Sequence, residues 1–341
     1  MQIFRNENAS CPMTAEERDF VQPGVVRHEC PICGVRGQVC QEGFYDDRYG
    51  YPGRFSLRGC TACGHKWLDA HFSPEQLGVL YTDFYPRANL KVVDFAPHQE
   101  VQGFAAWMNG NYSTAFRWVP RGVRILDIGC GFGNTLAYHQ ARGCEAWGVE
   151  ADENIRRVAE KYGFKVHVGV FDDSLYKAEF FDYVTMDQVI EHVTDPVATL
   201  RGVARILKPG GTAVLSTPNS FGWGATVFGR RWINWHAPYH LQFFSLASMR
   251  LATEKAGLVV ERSVTITSSA WLHFQWLHLL TYPQEGQSSI FWAPRGMWSF
   301  RQRFVRKVFT MVHRCKIDHM ITRVFDALDL GDNRLFFLRK P

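Results

Sequence analysis

One run, Val123-Arg124-Ile125-Leu126-Asp127-Ile128-Gly129-Cys130-Gly131-Phe132-Gly133-Asn134-Thr135, restricts what this 341-residue chain can fold into more than any other. It reads as a buried strand that breaks into a turn with three glycines and reopens as a helix from Thr135 to Ala141. That pattern belongs to a doubly wound α/β sheet with a ligand at the strand's carboxyl end. The glycines permit left-handed backbone angles and let a ligand approach without meeting a Cβ. Unpaired N–H groups at the helix start favour a carboxylate-bearing ligand.

The order of residues around the turn narrows the ligand. Gly129-Cys130-Gly131-Phe132-Gly133 is not the Gly-x-Gly-x-x-Gly of dinucleotide binders, and no Lys-Ser/Thr follows to hold phosphate. Asp127 would repel a pyrophosphate but suits an ammonium group. Glu150 closes the next apolar segment, Glu145 to Val149, where it can accept from ribose hydroxyls. A nucleoside with an amino acid end and no phosphates satisfies both acids, which points to S-adenosylmethionine.

These residues resemble the class I S-adenosylmethionine-dependent methyltransferases over roughly residues 117–261. The resemblance implies a Rossmann-like, seven-stranded α/β sheet. It implies a cofactor site of Asp127, Gly129, Gly131, Gly133 and Glu150, with Phe171 and Asp172 near the adenine and Asp187 at the end of the fourth strand. Phe181 to Val193 resembles the fourth strand and following helix of the ubiquinone-biosynthesis and small-molecule branch. Leu207-Lys208-Pro209-Gly210-Gly211 resembles the turn before its fifth strand.

Nine cysteines in a chain with no apolar leader and no run of 18 apolar residues read as thiols or metal ligands of a cytoplasmic protein. Cys30-Pro31-Ile32-Cys33-Gly34 and Cys60-Thr61-Ala62-Cys63-Gly64 form two knuckles joined by a long hairpin. This is the spacing of a structural zinc ribbon, with all four zinc positions filled by protein. Cys11 and Cys40 fall outside the spacing. The net charge of +5 is mild; it fits an anionic partner and does not by itself make a nucleic-acid binder.

The anchors divide the chain into an arm (1–27), the ribbon (28–70), a helical linker and cover (71–120), the methyltransferase core (121–264), a helical insert or lid (265–330) and a final strand (331–341). Ser73 with Pro74 starts a short helix. Tyr81 to Tyr85 resembles the Tyr-x-x-x-Tyr link between ribbons and methyltransferase domains in glycan-modifying enzymes. Residues 98–118 read as one amphipathic helix, and core strands are expected near 123–128, 145–149, 165–168, 182–186, 212–216, 258–263 and 335–339.

Methyl transfer needs orientation, exclusion of water and at most one base. Asp187 and Glu191 share a helix face at i, i+4, with His192 one position round. The resemblance to small-RNA methyltransferases, which bind a divalent metal through Glu-x-x-Glu-His, extends only to Glu191-His192, because Gln188 stands for the first glutamate. A second cluster, Trp232 to Ser245, resembles the His-x-x-x-His-Leu-x-x-Phe-Ser loop of the small-molecule branch. There His240 is the expected base and His236 its orienting partner, as imidazoles near their ordinary pKa.

The insert carries Trp271 to Leu280 and a basic helix over 298–316. That helix sets Phe304, Val305, Val308 and Val312 opposite Arg303, Arg306, Lys307 and Arg314. It can pack as a lid with its charges in water, touch an anionic membrane or a phosphate-bearing substrate, or meet a second copy in a homodimer. The leading function is methyl transfer to a hydroxyl of a small metabolite, sugar nucleotide, glycan or lipid-linked intermediate. RNA methylation and a non-enzymatic cofactor-binding scaffold are the alternatives. Against RNA, the acids Glu29, Glu42, Asp46 and Asp47 offset the ribbon's arginines, and no Asn/Asp-Pro-Pro-Tyr/Phe motif occurs.

Overall fold

The computed structural model describes residues 27–85, 92, 95–293 and 297–341. The N-terminal arm with Cys11, most of the linker between 86 and 94, and Pro294 lie outside the described residues.

A seven-stranded sheet organises the molecule. Its strands are β4 (Arg124–Ile128), β5 (Glu145–Glu150), β6 (Lys165–Val168), β7 (Phe181–Asp187), β8 (Leu207–Pro218), β10 (Val259–Thr265) and β11 (Asn333–Arg339), in the spatial order β10-β11-β8-β7-β4-β5-β6. The five strands from β4 to β8 pair in parallel, and β11 runs antiparallel between β8 and β10. The middles of β4 (Ile125, Leu126), β7 (Val184, Met186) and β8 (Ala213 to Leu215) are fully buried, because both faces of a parallel sheet are covered. The covering helices include α3 (Asn134–Ala141), α4 (Ile155–Tyr162), α5 (Pro196–Ile206) and α7 (Leu246–Ala256).

β8 is longer than its sequence pattern suggests. The Leu207–Gly211 turn is a bulge inside the strand: Phe181 pairs with Leu207, but Tyr183 pairs with Thr212. The expected helix over 98–118 is also corrected. Only α2 (Gly103–Asn109) is α-helical, followed by single 3-10 turns at Asn111–Ser113 and Ala115–Trp118. Gly110 ends it in a left-handed conformation, and a Cβ there would stand 1.9 Å from the Thr267 carbonyl oxygen. The chain is held against the insert at that point and cannot continue the helix.

The N-terminal hairpin builds a second sheet from β1 (Gln38–Phe44), β2 (Phe55–Gly59) and β3 (Lys66–Leu68). Its fourth strand, β9 (Gln242–Phe243), comes from the histidine-bearing loop after β8 and pairs antiparallel with β3. α1 (Pro74–Val79) follows, opened by the expected Ser73 cap and a reciprocal bond with Gln76.

Two clusters weld these parts. In one, Cys30, Ile32, Cys60, Cys63 and Trp67 pack with buried sheet and helix residues such as Met186, Ile190 and Met249. In the other, Phe44, Tyr51 and Phe55 of the hairpin interlock with Trp232, Trp235 and Phe243. Both knuckles also bond to α7: Ser245 Oγ donates to the Cys63 carbonyl at 2.9 Å, and Lys255 Nζ to the Ile32 carbonyl at 2.6 Å.

After the short helix α6 (Trp223–Phe228), the remaining helices belong to the insert between β10 and β11: α8 (Ala270–Leu280), α9 (Phe300–Arg314) and α10 (Ile317–Ala327). Among the described residues, no helix is long and apolar enough to cross a membrane.

Candidate active site

The glycine turn lies at the carboxyl end of β4. Gly129, Gly131 and Gly133 all take positive φ, as the spacing predicts. A Cβ at Gly129 would strike Val189 at 2.4 Å, whereas one at Gly131 would meet nothing within 4 Å. Gly129 is therefore required by packing, and Gly131 opens the cradle. Asp127 is 1 % exposed. Thr185 Oγ1 donates to one of its carboxylate oxygens at 2.6 Å, and Thr135 Oγ1 donates to the other. Burial pushes its pKa up to about 7, and the hydroxyls only partly offset that.

Glu150 receives the backbone N–H groups of Gly131 at 2.8 Å and Asp152 at 2.9 Å, so its carboxylate spans the turn. Burial raises its pKa too. Asp187 accepts from the Ala115 N–H at 3.1 Å and from Ser216 Oγ, and burial raises it to about 6. Three desolvated acids at one sheet end form a site short of positive charge, the environment an ammonium or sulfonium group relieves. Phe171 and Asp172 are less closely tied to it. Phe171 packs half-buried near Gly202, while Asp172 is exposed and caps the turn Asp173–Leu175.

The segment after β7 is not helical, which corrects the expected shared face of Asp187 and Glu191. β7 ends at Asp187, Gln188 takes φ 56°, and residues 190–192 form a turn. The helix starts only at Pro196, where Asp195 caps it. Gln188 bonds to Ser216 and Asn333 and is committed to the sheet end.

The turn nevertheless delivers Glu191 and His192 to His240. One ligand-type atom of each lies within 4.8 Å of the others, a grouping able to hold a metal ion. Glu191 is fully buried, and neither carboxylate oxygen has a hydrogen-bond partner among the described residues, although the Thr217 hydroxyl lies beside it. Burial pushes it up to about 8. His192 Nδ1 lies 2.9 Å from the Tyr239 carbonyl and His240 Nδ1 2.8 Å from the Asn234 carbonyl. These contacts assign the proton of each ring to Nδ1 and leave each Nε2 as a lone-pair acceptor.

The expectation of imidazoles near their ordinary pKa is overturned. Burial lowers His192 to about 4 and places His236 and His240 well below the usual value, with Arg48 and the neighbouring histidines adding to the effect. The rings are neutral because they are dry.

His236 stacks on Tyr239 at 4.7 Å and lies 4.9 Å from His240, ring centre to ring centre. Its Nε2 and the Tyr239 hydroxyl are buried without partners among the described residues. The wall around them was not foreseen as a site. Tyr49 and Arg48 reach in from the hairpin, and Tyr81 and Tyr85 from the turn after α1. Tyr81 also bonds to His192 Nδ1 at 3.2 Å. Arg48 is buried, donates to the Ile233 carbonyl and lies 4.2 Å over the Trp292 ring. Only the Tyr-x-x-x-Tyr segment had been singled out in the sequence, and as a link. Arg48 and Tyr49 carry no local signal, because their partners stand far along the chain.

The four thiols Cys30, Cys33, Cys60 and Cys63 also gather within 4.8 Å and can hold a metal ion. Cys30 and Cys63 Sγ are 3.6 Å apart and Cys33 and Cys60 Sγ 3.3 Å, near the roughly 3.8 Å that a tetrahedral ion with bonds of about 2.3 Å imposes. Each knuckle repeats the same backbone turn: Gly34 N–H to the Cys30 carbonyl, and Gly64 N–H to the Cys60 carbonyl, both at 2.9 Å.

The insert closes over this region through α8. Gln275 accepts from the Ile233 N–H at 2.7 Å and donates to the Arg231 carbonyl at 2.9 Å, clamping the histidine loop. On α9 the expected apolar side is rotated. Val305, Phe309 and Val312 are half-buried, with Phe309 against Trp276 at 5.4 Å, whereas Phe304 and Val308 are exposed. Arg303, Arg306, Lys307 and Arg314 are exposed, as expected.

A family model described as a methyltransferase domain matches residues 85–263. A ubiquinone biosynthesis O-methyltransferase of Xanthomonas axonopodis pv. citri (strain 306) is 32 % identical over 159 residues, covering 42 % of this chain and 66 % of its own. One from Xanthomonas oryzae pv. oryzae (strain PXO99A) is 38 % identical over 106 residues, 29 % of this chain and 44 % of its own. The chain thus spans less than two thirds of these relatives' length. Haemonchus contortus phosphoethanolamine N-methyltransferase 2, solved with S-adenosyl-L-methionine, aligns at 19 % identity and a TM-score of 0.41, covering 66 % of this chain and 50 % of that one. With a matched span of more than half its 341 residues, the chain belongs to the methyltransferase domain family.

Proposed function

We propose that this protein methylates a hydroxyl of a small metabolite using S-adenosylmethionine. When bound, S-adenosylmethionine supplies an electrophilic methyl on a sulfonium sulfur. Asp127 and the loop at Gly129, Gly131 and Gly133 would hold its amino acid end, and Glu150 its ribose. Phe171, Asp172 and Asp187 are proposed as further contacts. The open space at Gly131 and the excess of buried negative charge fit such a cation.

The observation that carries the acceptor side is the set of unpartnered buried polar atoms on Glu191, His236 and Tyr239, inside a wall of tyrosines. Buried polar groups are seldom left unsatisfied unless a ligand completes them. His240 Nε2 takes the acceptor's proton, His192 and Glu191 stand beside it, and His236 orients the hydroxyl. The closed aromatic wall keeps water from competing. As an alternative to general-base action by His240, the same Glu191, His192 and His240 group suits a divalent ion bound by nitrogen and oxygen, which would occupy the His240 Nε2 lone pair. The names of the two Xanthomonas relatives, both O-methyltransferases, support oxygen as the methylated atom. The aromatic wall favours an acceptor with a flat or apolar body, and sugar nucleotides, glycans and lipid-linked intermediates belong to the same proposal.

Zinc at the four thiolates is likewise proposed, as a structural ion that fixes the hairpin carrying Arg48 and Tyr49. In this reading residues 28–70 and 265–330 are the two jaws of the acceptor site and 121–264 is the cofactor-binding core, in a cytoplasmic protein.

The test is turnover of methyl-labelled S-adenosylmethionine against phenols, sugar nucleotides and lipid-linked hydroxyl compounds, with the product mapped. Transfer to oxygen, reduced roughly 100-fold or more in His240→Gln, is expected. Transfer to RNA alone, or cofactor binding with no turnover on any acceptor, would overturn the reading.

A further inference from the structure

A second group of metal-type side chains lies in the insert and takes no part in the site above. His313 ends α9, and Asp318 and His319 open α10, with only Cys315 and Lys316 between the helices. Asp318 is fully buried and His319 is 2 % exposed. Asp318 Oδ2 lies 2.5 Å from His313 Nδ1, and Asp318 Oδ1 lies 2.7 Å from His319 Nδ1. One ligand atom of each residue falls within 4.8 Å of the others.

A fourth group stands close by. His273 of α8 stacks on the His313 ring at 4.8 Å, and its Nδ1 is buried with no hydrogen-bond partner among the described residues.

We propose that His313, Asp318 and His319 form a binding site for a divalent transition ion of the zinc type, with His273 or water in the fourth position. Two imidazoles and one carboxylate suit Zn2+, Co2+ or Ni2+ and disfavour Mg2+ and Ca2+, which prefer all-oxygen shells. The ion would replace the proton between His313 and Asp318 and pin α9 to α10 directly under α8, the helix that clamps the histidine loop.

Lys316 supplies an internal check. Its Nζ lies 3.0 Å from His319 Nε2 and 3.0 Å from Asn109 Oδ1. With a metal on Nδ1, His319 Nε2 carries the proton and no longer accepts from the ammonium. Lys316 must then keep only its Asn109 partner, so it opposes the ion both by charge and by hydrogen bonding.

The experiment is calorimetric titration of the full chain with Zn2+, after metal analysis has established that the cysteine cluster is filled. Wild type should take up one equivalent more than His313→Ala/His319→Ala, and Lys316→Ala should bind that equivalent at least as tightly as wild type. Added Co2+ should give visible bands of a nitrogen- and oxygen-bound ion whose intensity falls by one equivalent in the double variant. If the double variant fails to fold, His319→Gln carries the same comparison. Equal uptake by wild type and a folded variant overturns the site, as does no uptake beyond the cysteine cluster. The outcome does not depend on which acceptor the enzyme methylates.

Discussion

The two halves of the candidate active site are encoded differently. The cofactor half is of shorter range: Asp127 meets Thr135 eight residues on and Thr185 58 residues on, Glu150 meets Gly131 across 19 residues, and Asp187 meets Ala115 across 72. The acceptor half is assembled from distant segments: Arg48 reaches Ile233 across 185 residues, and Tyr81 reaches His192 across 111. Parallel strands with a glycine turn are a self-contained device for one class of ligand. A wall built from a hairpin, the turn after α1 and a loop exists only once these distant segments have packed.

That contrast predicts unequal consequences of damage. The largest effect should follow loss of the ion we propose at the cysteines. Structural zinc sites contribute about 10–16 kcal/mol in isolated peptides, comparable with the total stability of a domain. Because Cys30, Cys60 and Cys63 pack into the main core, chelation or Cys60→Ser should melt the hairpin and the acceptor wall together. Circular dichroism and a thermal melt check this; an unchanged melt would show that the hairpin is held without metal.

Next, the halves should separate by substitution. Asp127→Asn removes a charge-assisted contact worth about 1.5–3 kcal/mol, so S-adenosylmethionine should bind about 10- to 150-fold more weakly. Arg48→Met should leave that affinity alone and lower turnover or raise the acceptor's KM, because its guanidinium contacts the Ile233 carbonyl and the Trp292 ring. Calorimetry and steady-state kinetics on the two variants distinguish these outcomes. Equal loss of cofactor affinity in both would erase the division.

A pH dependence sharpens it further. Asp127 rises from the ordinary 3.8 to about 7 in the folded chain. A raised carboxylate pKa means that the folded state binds the extra proton. The stability it contributes is therefore complete below about pH 4 and lost as pH climbs through about 7. Affinity for the cationic cofactor should move the other way, tightening as Asp127 ionises through the same window. Melts and calorimetry from pH 5.5 to 8 (roughly the accessible range) check the signs, and Asp127→Asn should flatten both.

The smallest effect is expected at the join between the halves. Ser245 caps α7 and donates to the Cys63 carbonyl. Ser245→Ala should cost about 1 kcal/mol, a shift of a few degrees in Tm, with little change in cofactor binding.

How much could be read from the sequence follows the same line. The glycine turn, Glu150, the two cysteine knuckles and all seven strands of the main sheet were legible because each rests on short-range spacing. The helix assumed after β7 was not, since Gln188 takes a left-handed angle to bond across the sheet end. The protonation of the histidines escaped as well. His236 and His240 have ordinary neighbours in sequence, and their burial, with Arg48 and the neighbouring histidines beside them, lowers them. The strand β9 shows the limit most clearly: two residues, Gln242 and Phe243, join the histidine loop to the N-terminal sheet through pairing with Lys66 and Trp67. Two residues carry too little periodicity to be seen.

We propose that the Asp127 turn binds the amino acid end of the cofactor independently of the acceptor wall. Calorimetry with S-adenosylhomocysteine, which keeps the ammonium, tests it most directly on wild type, Asp127→Asn and Arg48→Met. One molecule per chain should bind wild type and Arg48→Met with equal affinity and Asp127→Asn at least about tenfold more weakly. No binding to folded wild type, or binding indifferent to Asp127, would contradict it.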